Sequence, residues 1–274
     1  MHSGRPGYPN ASSLVEQGGR VSTDTDDTGE LVHLDVADGV ATVTLDSPAN
    51  RNALSRRLVT DLSSQLGAAA GDESVRVVLL RSSGRVFCSG ADMSEAVEEG
   101  MEKGARALVA LQRQIVALPV PVVVRLDGPV RAGGLGLVGA ADVAIAADTV
   151  SFALTEVRLG LAPAVISLTV LPRMTSRGAA ATALSGAEFD ATQAVSAGLV
   201  TKAVPEAELD AAVEAVLGGF RQATRQGLRE TKALLNAALL ARIDQLGEEM
   251  ARTSAALFAS DEARAAMRAF LASR

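Results

Sequence analysis

Three short segments carry residue types that could do chemistry. They are Phe87-Cys88-Ser89-Gly90-Ala91-Asp92-Met93, Asp127-Gly128-Pro129-Val130-Arg131-Ala132-Gly133-Gly134 and Thr155-Glu156-Val157-Arg158-Leu159-Gly160. The first two each follow a continuous apolar run and precede a helical pattern. Backbone N–H groups at such a junction have no intrahelical partner and sit at the positive end of the helix dipole. Two of them converging on one point make an oxyanion hole, suited to the enolate of a thioester. Glycine fits the second turn because a side chain there would block close approach of a carbonyl. Taken singly, each segment also reads as an ordinary strand-to-helix turn, since short glycine motifs are frequent.

The elements that must position these turns follow from periodicity. Leu31–Val36 and Val40–Asp46 are β-rich runs joined through Asp38-Gly39, a strong hairpin signal. Pro48 ends the second strand, and Leu54, Leu58, Leu62 and Leu66 make one stripe on a helix over Leu54–Ala70. Val75–Leu80 and Val120–Leu126 are continuous apolar runs, expected for strands buried on both faces. Each is followed by a glycine turn and a helix, the first running from Glu95 to Ala117. Val143–Ala146, Ser151–Ala153 and Leu199–Val204 supply further short strands. Strand, glycine turn and helix in repetition predict an α/β fold with parallel or near-parallel strands. From Glu206 onward only helix signals remain, ending in an amphipathic Asp261–Ala272. Helices with no strands left to cover suit an oligomer interface.

Composition bounds the partners. The chain has 274 residues, 48% of them hydrophobic, enough to bury a sizeable core. Aromatics are only 3%, with no Trp and one Tyr, so no aromatic platform for single-stranded nucleic acid is available. The formal net charge is −6, with basic residues scattered among acidic ones and no basic stripe. That makes nucleic acid or an anionic membrane an unsuitable partner. Cys88 stands alone, so no internal disulfide forms and a reducing, cytoplasmic compartment is expected. No apolar stretch reaches the roughly 18 residues of a membrane span. Residues 1–30 lack a signal-peptide core and read as a disordered Gly/Ser/Thr/Asp-rich extension, with order beginning near Leu31. His2 lies in that extension and His33 in the first strand. Neither is a partner for Cys88, and two histidines exclude a Ser-His-Asp hydrolase and a histidine metal site. Glu95, Glu98, Glu99 and Glu102 read as the solvated face of a helix.

Further segments fall in a telling order: Ser47-Pro48-Ala49-Asn50-Arg51-Asn52-Ala53-Leu54, Ala141-Asp142-Val143, Leu171-Pro172-Arg173, Ala197-Gly198-Leu199-Val200 and Ser260-Asp261-Glu262-Ala263-Arg264. Together with the three turns, they make the chain from Leu31 to Arg274 resemble the crotonase (enoyl-CoA hydratase/isomerase) superfamily. The resemblance implies a crotonase-type spiral of ββα units over about Leu31 to Gly219. It also implies a C-terminal helical region (220–274) that packs homotrimers or dimers of trimers. By it, the N–H groups of Ala91 and Gly133 form the oxyanion hole and Glu156 is the acid–base residue. Ala53 and Leu54, with Ala91, Asp92 and Met93, line the path of the coenzyme A arm. Arg51 approaches a phosphate of that arm or remains a solvated loop arginine, and Asp92 caps a helix. The substrate is an acyl-CoA thioester, with no metal and no cofactor beyond the coenzyme A it carries.

Two departures from the family pattern bear on the reaction. Hydratases of the family carry two glutamates, and the earlier position here is Gly136. Gly136 is expected to leave room for a water or a bulkier acyl chain. Hydration holds a water between two carboxylates, whereas moving a double bond between C3 and C2 needs one base. Hydration, the commoner activity of relatives, is taken first, with isomerisation close behind and a non-catalytic acyl-CoA-binding protein as the rival. Arg131 stands where relatives have an apolar residue. It either receives a carboxylate on the acyl group or pairs with a structural carboxylate. Pro163-Ala164-Val165-Ile166-Ser167 replaces a glycine-rich stretch with bulkier residues, which should reshape the acyl pocket.

Overall fold

The structure, a computed structural model, describes residue 1, residues 29–95 and residues 101–272, the last three by backbone alone. The expected extension thus falls almost wholly outside the described residues, as do Glu98 and Glu99. The hairpin forms as read: β1 (Val32–Ala37) and β2 (Val40–Leu45) pair antiparallel. Asp38 and Gly39 take φ angles of 49° and 76°, the two positive values that a tight hairpin between right-twisted strands requires.

From β2 onward the main sheet is parallel. It adds β3 (Val77–Ser82), β4 (Val122–Leu126), β6 (Val143–Ala147) and β9 (Lys202–Val204), in the order β1-β2-β3-β4-β6-β9. A small second sheet holds β5 (Val130–Arg131), β7 (Ser151–Ala153) and β8 (Phe189–Asp190). The continuous apolar runs are the strands covered on both faces, and Val77, Val78, Leu80, Val122, Val123 and Val124 are wholly buried.

Helices cover the sheet. In α1 (Arg56–Gly71) the Ser55 hydroxyl caps the first turn by accepting from the Leu58 N–H, and Leu58, Leu62 and Leu66 face the core. Leu54, expected to open this helix, lies before it and pairs with Ala91 in a single parallel bridge. Residues 93–95 are helical, and α2 (Glu102–Ala117) runs on to the expected end. Then come α3 (Gly133–Ala140), α4 (Ser167–Arg173), α5 (Ser176–Ser185), α6 (Ala191–Ala197) and α7 (Leu209–Arg221). The 34-residue α8 (Arg225–Phe258) and α9 (Asp261–Ala272) close the chain.

The long α8 is polar on most of its surface but buries one stripe: Lys232, Asn236, Leu239, Ile243, Gly247, Ala251 and Ser254. Such three-and-four spacing presents a single face, which packs along α2 and α4. Gly247 permits the approach, since a Cβ there would lie 2.8 Å from Val109 Cγ1. The polar end of the stripe is fully bonded. Lys232 Nζ donates to the carbonyls of Ile115 (2.9 Å) and Val120 (3.0 Å) and pairs with Asp142 Oδ2 at 2.8 Å. Asn236 donates to the other Asp142 oxygen at 2.8 Å. Burial holds the Lys232 ammonium below its usual range, and Asp142 opposes that effect.

Candidate active site

The site begins with the loop between β2 and α1. Asn52 is wholly buried and takes a positive φ of 50°. Its carboxamide accepts from the Ser47 N–H (2.8 Å) and donates to the carbonyls of Ser83 (3.0 Å) and Val86 (2.8 Å). One side chain thereby fixes this loop to the segment that enters the first glycine turn. Leu54 then donates its N–H to Gly90 O at 2.8 Å, which sets Ala91 beside it.

The two glycine turns are laced together. Phe87 N–H donates to Pro129 O (3.1 Å) and Arg131 N–H to Cys88 O (2.9 Å). Ala132 donates to Ala153 O at 3.0 Å and holds φ 44°, ψ −116°, a backbone region costly for any residue with a Cβ. That unusual torsion precedes Gly133, the first residue of α3. A Cβ built on Gly133 would stand 3.6 Å from Ala91 N, so the two N–H groups flank one small space. Neither donates to a backbone acceptor among the described residues. On Gly134 a Cβ would collide with Cys88 Cβ at 2.8 Å, which is why the turn needs its second glycine.

This space is the floor of a cavity of ≈ 230 Å3. Of the residues singled out from sequence, Arg51, Ala53, Ala91, Asp92, Met93, Gly133 and Glu156 line it. Arg51 is exposed at its edge, and its guanidinium has no partner among the described residues. Asp92 is a cap: Oδ1 accepts from the N–H groups of Ser94 (2.9 Å) and Glu95 (3.3 Å), and Oδ2 from Asn50 at 2.7 Å. Pro163, Ala164, Val165 and Ile166 form part of the wall, as their bulk led us to expect.

Glu156 opens a single 3-10 turn, Glu156–Leu159, after β7. Its Oε2 is buried and has no hydrogen-bond partner among the described residues. Burial pushes its carboxyl up to about 7, the poise of a group that both takes and returns a proton near neutrality.

Three expectations need correction, and the alternative left open at Arg131 is resolved. Leu54 is buried beneath the hole, its Cδ1 2.9 Å from the Gly133 Cβ position, and does not line the cavity. Gly136 leaves no open space. A Cβ there would stand 2.8 Å from Ile166 Cγ2 and 3.1 Å from Gln112 Oε1. Arg131 turns away from the cavity: it donates to Ser151 O (2.7 Å) and Ser151 Oγ (2.9 Å) and pairs with Glu188 at 2.9 Å. Its partner is therefore the structural carboxylate. Glu95 accepts from the Arg56 N–H at 2.8 Å and so caps α1, while Glu102 pairs with Arg106 on the surface.

Sequence reasoning missed Met101, which precedes α2, Ala105 and Leu108 on α2, Leu161, and Ser254 and Phe258 on α8, all of which line the cavity. Ala105, Leu108, Ser254 and Phe258 follow the helical period of core residues, and Met101 and Leu161 are lone apolar residues outside the helices, so nothing set them apart. Cys88 is fully buried, and burial pushes its thiol up to about 12, no nucleophile at neutral pH.

A largely parallel sheet with two interlaced glycine turns beside a cavity that holds one raised carboxyl among the described residues fits the crotonase fold. The comparisons agree: a sequence profile of the enoyl-CoA hydratase/isomerase family matches residues 35–274, and the chain belongs to that family. It is similar to an enoyl-CoA hydratase of Mycobacterium avium, with 46% identity and a TM-score of 0.84 over 90% of this chain and 98% of that one. The mitochondrial enoyl-CoA hydratase domain-containing protein 3 of Homo sapiens is 34% identical over 179 residues, 63% of this chain and 58% of that protein. An enoyl-CoA isomerase/hydratase of Mycosarcoma maydis is 36% identical over 180 residues, 61% of this chain and 66% of that protein. Among the described residues no helix is long and apolar enough to cross a membrane.

Proposed function

We propose that this enzyme shifts the double bond of an enoyl-CoA thioester between C3 and C2, with Glu156 as the single base. The observation that carries the reading is the Glu156 Oε2 atom, buried at the cavity with no partner among the described residues. The other carboxylate lining the cavity, Asp92, has both oxygens engaged by donors. Where a side chain at position 136 would project, the wall is Ile166.

The chemistry follows from these groups. The thioester oxygen accepts from the N–H groups of Ala91 and Gly133, which acidifies the C2 protons. Ionised Glu156 takes one, and the electrons delocalise into a dienolate whose oxygen charge the two donors stabilise. Glu156 then returns the proton to C4, leaving C2=C3. A carboxyl near 7 suits both halves, since it is ionised and protonated in comparable amounts at neutral pH. Arg51 at the cavity edge suits a phosphate of the coenzyme A arm. An inert binding protein would gain nothing from an unpartnered buried carboxyl.

Relatives named as enoyl-CoA hydratases, one of them 46% identical, favour hydration as a second reading. The two separate on products. Purified protein is given 3-enoyl- and 2-enoyl-CoA thioesters in deuterium oxide, and products are read by mass spectrometry. The expected result is 2-enoyl product from the 3-enoyl ester with little deuterium gained, because Glu156 returns the proton it took. Faster formation of 3-hydroxyacyl-CoA from the 2-enoyl ester would replace isomerisation with hydration.

Assembly into trimers or dimers of trimers is part of this proposal. Its support is the exposure of Leu234 (81%) and Leu235 (78%) on α8. Light scattering on the eluting protein tests it.

A further inference from the structure

The turn that carries Glu156 belongs to neither sheet. It is closed by the Leu161 N–H donating to Glu156 O at 3.0 Å and by Gly160 at φ 67°. Two helices hold it from outside, α5 and α9. Ala263 is wholly buried and Met267 is 4% exposed, and with Leu161 they form an apolar cluster separate from the main core. Met93, Leu159, Leu257 and Phe258 lean on that cluster. At Gly160 the approach is close: a Cβ there would lie 3.3 Å from Glu262 Cγ and 3.4 Å from Ala263 N.

The cluster therefore joins four segments. They are the Glu156 turn, the residue that follows Ala91-Asp92, the end of α8 whose Phe258 lines the cavity, and α9. Neither Ala263 nor Met267 lines the cavity. We propose that Ala263 and Met267 are positioning residues: they clamp the Glu156 turn against Met93 and Phe258, fixing where its carboxyl points and keeping water from it. The inference rests on the reading of Glu156 as the acid–base group.

The clamp has a signature that ordinary packing lacks. Arg51 and Asp92 line the same cavity, Glu262 lies beside Gly160, and Arg158 of the same turn packs toward Gly186. None of them hydrogen-bonds Glu156 among the described residues, so burial is what raises its carboxyl. Loosening α9 admits water and moves that carboxyl in one direction, toward the ordinary carboxylate range.

The test uses the full chain with Met267→Ala and Ala263→Leu, which loosen the contact by opposite means, and Met267→Leu as the conservative control. In the first two, kcat should fall about ten- to a hundredfold, the scale of a misplaced reacting group, with a smaller change in KM. The limb of the pH–kcat profile near 7 should move toward lower pH, and Met267→Leu should restore both. A limb that stays near 7 in both variants overturns the proposal. So does loss of the whole far-UV spectrum in both, because α9 would then serve the fold at large. Glu156→Gln run alongside separates the two ideas: if it abolishes turnover while the limb stays put in the clamp variants, only the clamp fails. If it retains turnover, the base assignment fails and the clamp with it.

Discussion

Ile166 Cγ2 lies 2.8 Å from the point at which a Cβ on Gly136 would stand. Behind it, Thr169 Oγ1 donates to Gln112 Oε1 at 2.6 Å, so a satisfied polar pair seals the same corner. A glutamate placed at 136 would have to displace both. Gly136→Glu alone should thus lower thermal stability by a few kcal/mol, the range for overpacking a core, and gain no hydration. Gly136→Glu with Ile166→Ala should recover stability and raise the ratio of hydration to isomerisation. Melting temperatures and product ratios of the single and double variants check this.

Gly133→Ala offers a cleaner probe of the oxyanion hole than a proline, because it keeps the N–H. The new methyl would stand 3.6 Å from Ala91 N, in the place of the thioester oxygen. Its one hard contact is the flexible end of Leu54, at 2.9 Å, so the fold should survive. Turnover should fall by about 10²-fold or more, the scale on which losing an oxyanion donor is felt. Steady-state kinetics beside an unchanged circular dichroism spectrum would show it.

Glu156→Gln should reduce turnover by about 10²-fold or more while the enzyme still binds coenzyme A esters. Stability should move the other way. The unfolded carboxyl ionises near 4.5 and the folded one near 7. Between those values the folded state keeps a proton that the unfolded state has released, so native stability declines as pH rises through that window and levels off above it. Gln carries no such penalty. The variant's advantage should grow from pH 4.5 to 7 and reach on the order of 3 kcal/mol. Urea titrations at several pH values measure it.

Arg131→Ala should act on the fold and leave substrate choice alone. The guanidinium bonds Ser151 and Glu188 across the small sheet, and its loss should cost about 1–3 kcal/mol. Carboxylated and neutral enoyl-CoA esters should lose kcat/KM equally. A selective loss for the carboxylated ester would contradict the observed partners.

Lys232→Met removes one half of a buried ion pair and leaves the Asp142 carboxylate facing the interior. Such a break costs about 3–5 kcal/mol. Adding Asp142→Leu should return part of that loss, and chemical denaturation of the two variants gives the comparison.

The parts of this molecule legible in sequence are those written in neighbouring residues. Asp38-Gly39 declares its hairpin because both positions need positive φ. The apolar runs declare buried strands, and the glycine turns and Glu156, singled out in sequence, line one cavity. Much of the recognised pattern proves architectural: Asp142 receives Lys232 and Asn236, and Arg173 bonds the carbonyls of Gly139 and Ala141 at the end of α3. What stayed hidden depends on segments far apart in the chain. Gly136 reads as open space until Ile166 is seen to fill it. Arg131 reads as a substrate ligand or a structural cation alike until Ser151 and Glu188 are seen beside it. Leu108 and Phe258 share a helical period with core residues, and period reports burial without naming what lies opposite.

The order of synthesis gives one of these features a consequence. Ala91, Gly133 and Glu156 emerge from the ribosome well before Ser254, Phe258 and α9, which wall the cavity and brace its base. A nascent chain can assemble its sheet and both donor turns while the pocket still lacks its back. Such a chain holds Ala91, Gly133 and Glu156 in the open, where water surrounds the carboxyl. On the proposed reading of Glu156, competence waits for α8 and α9.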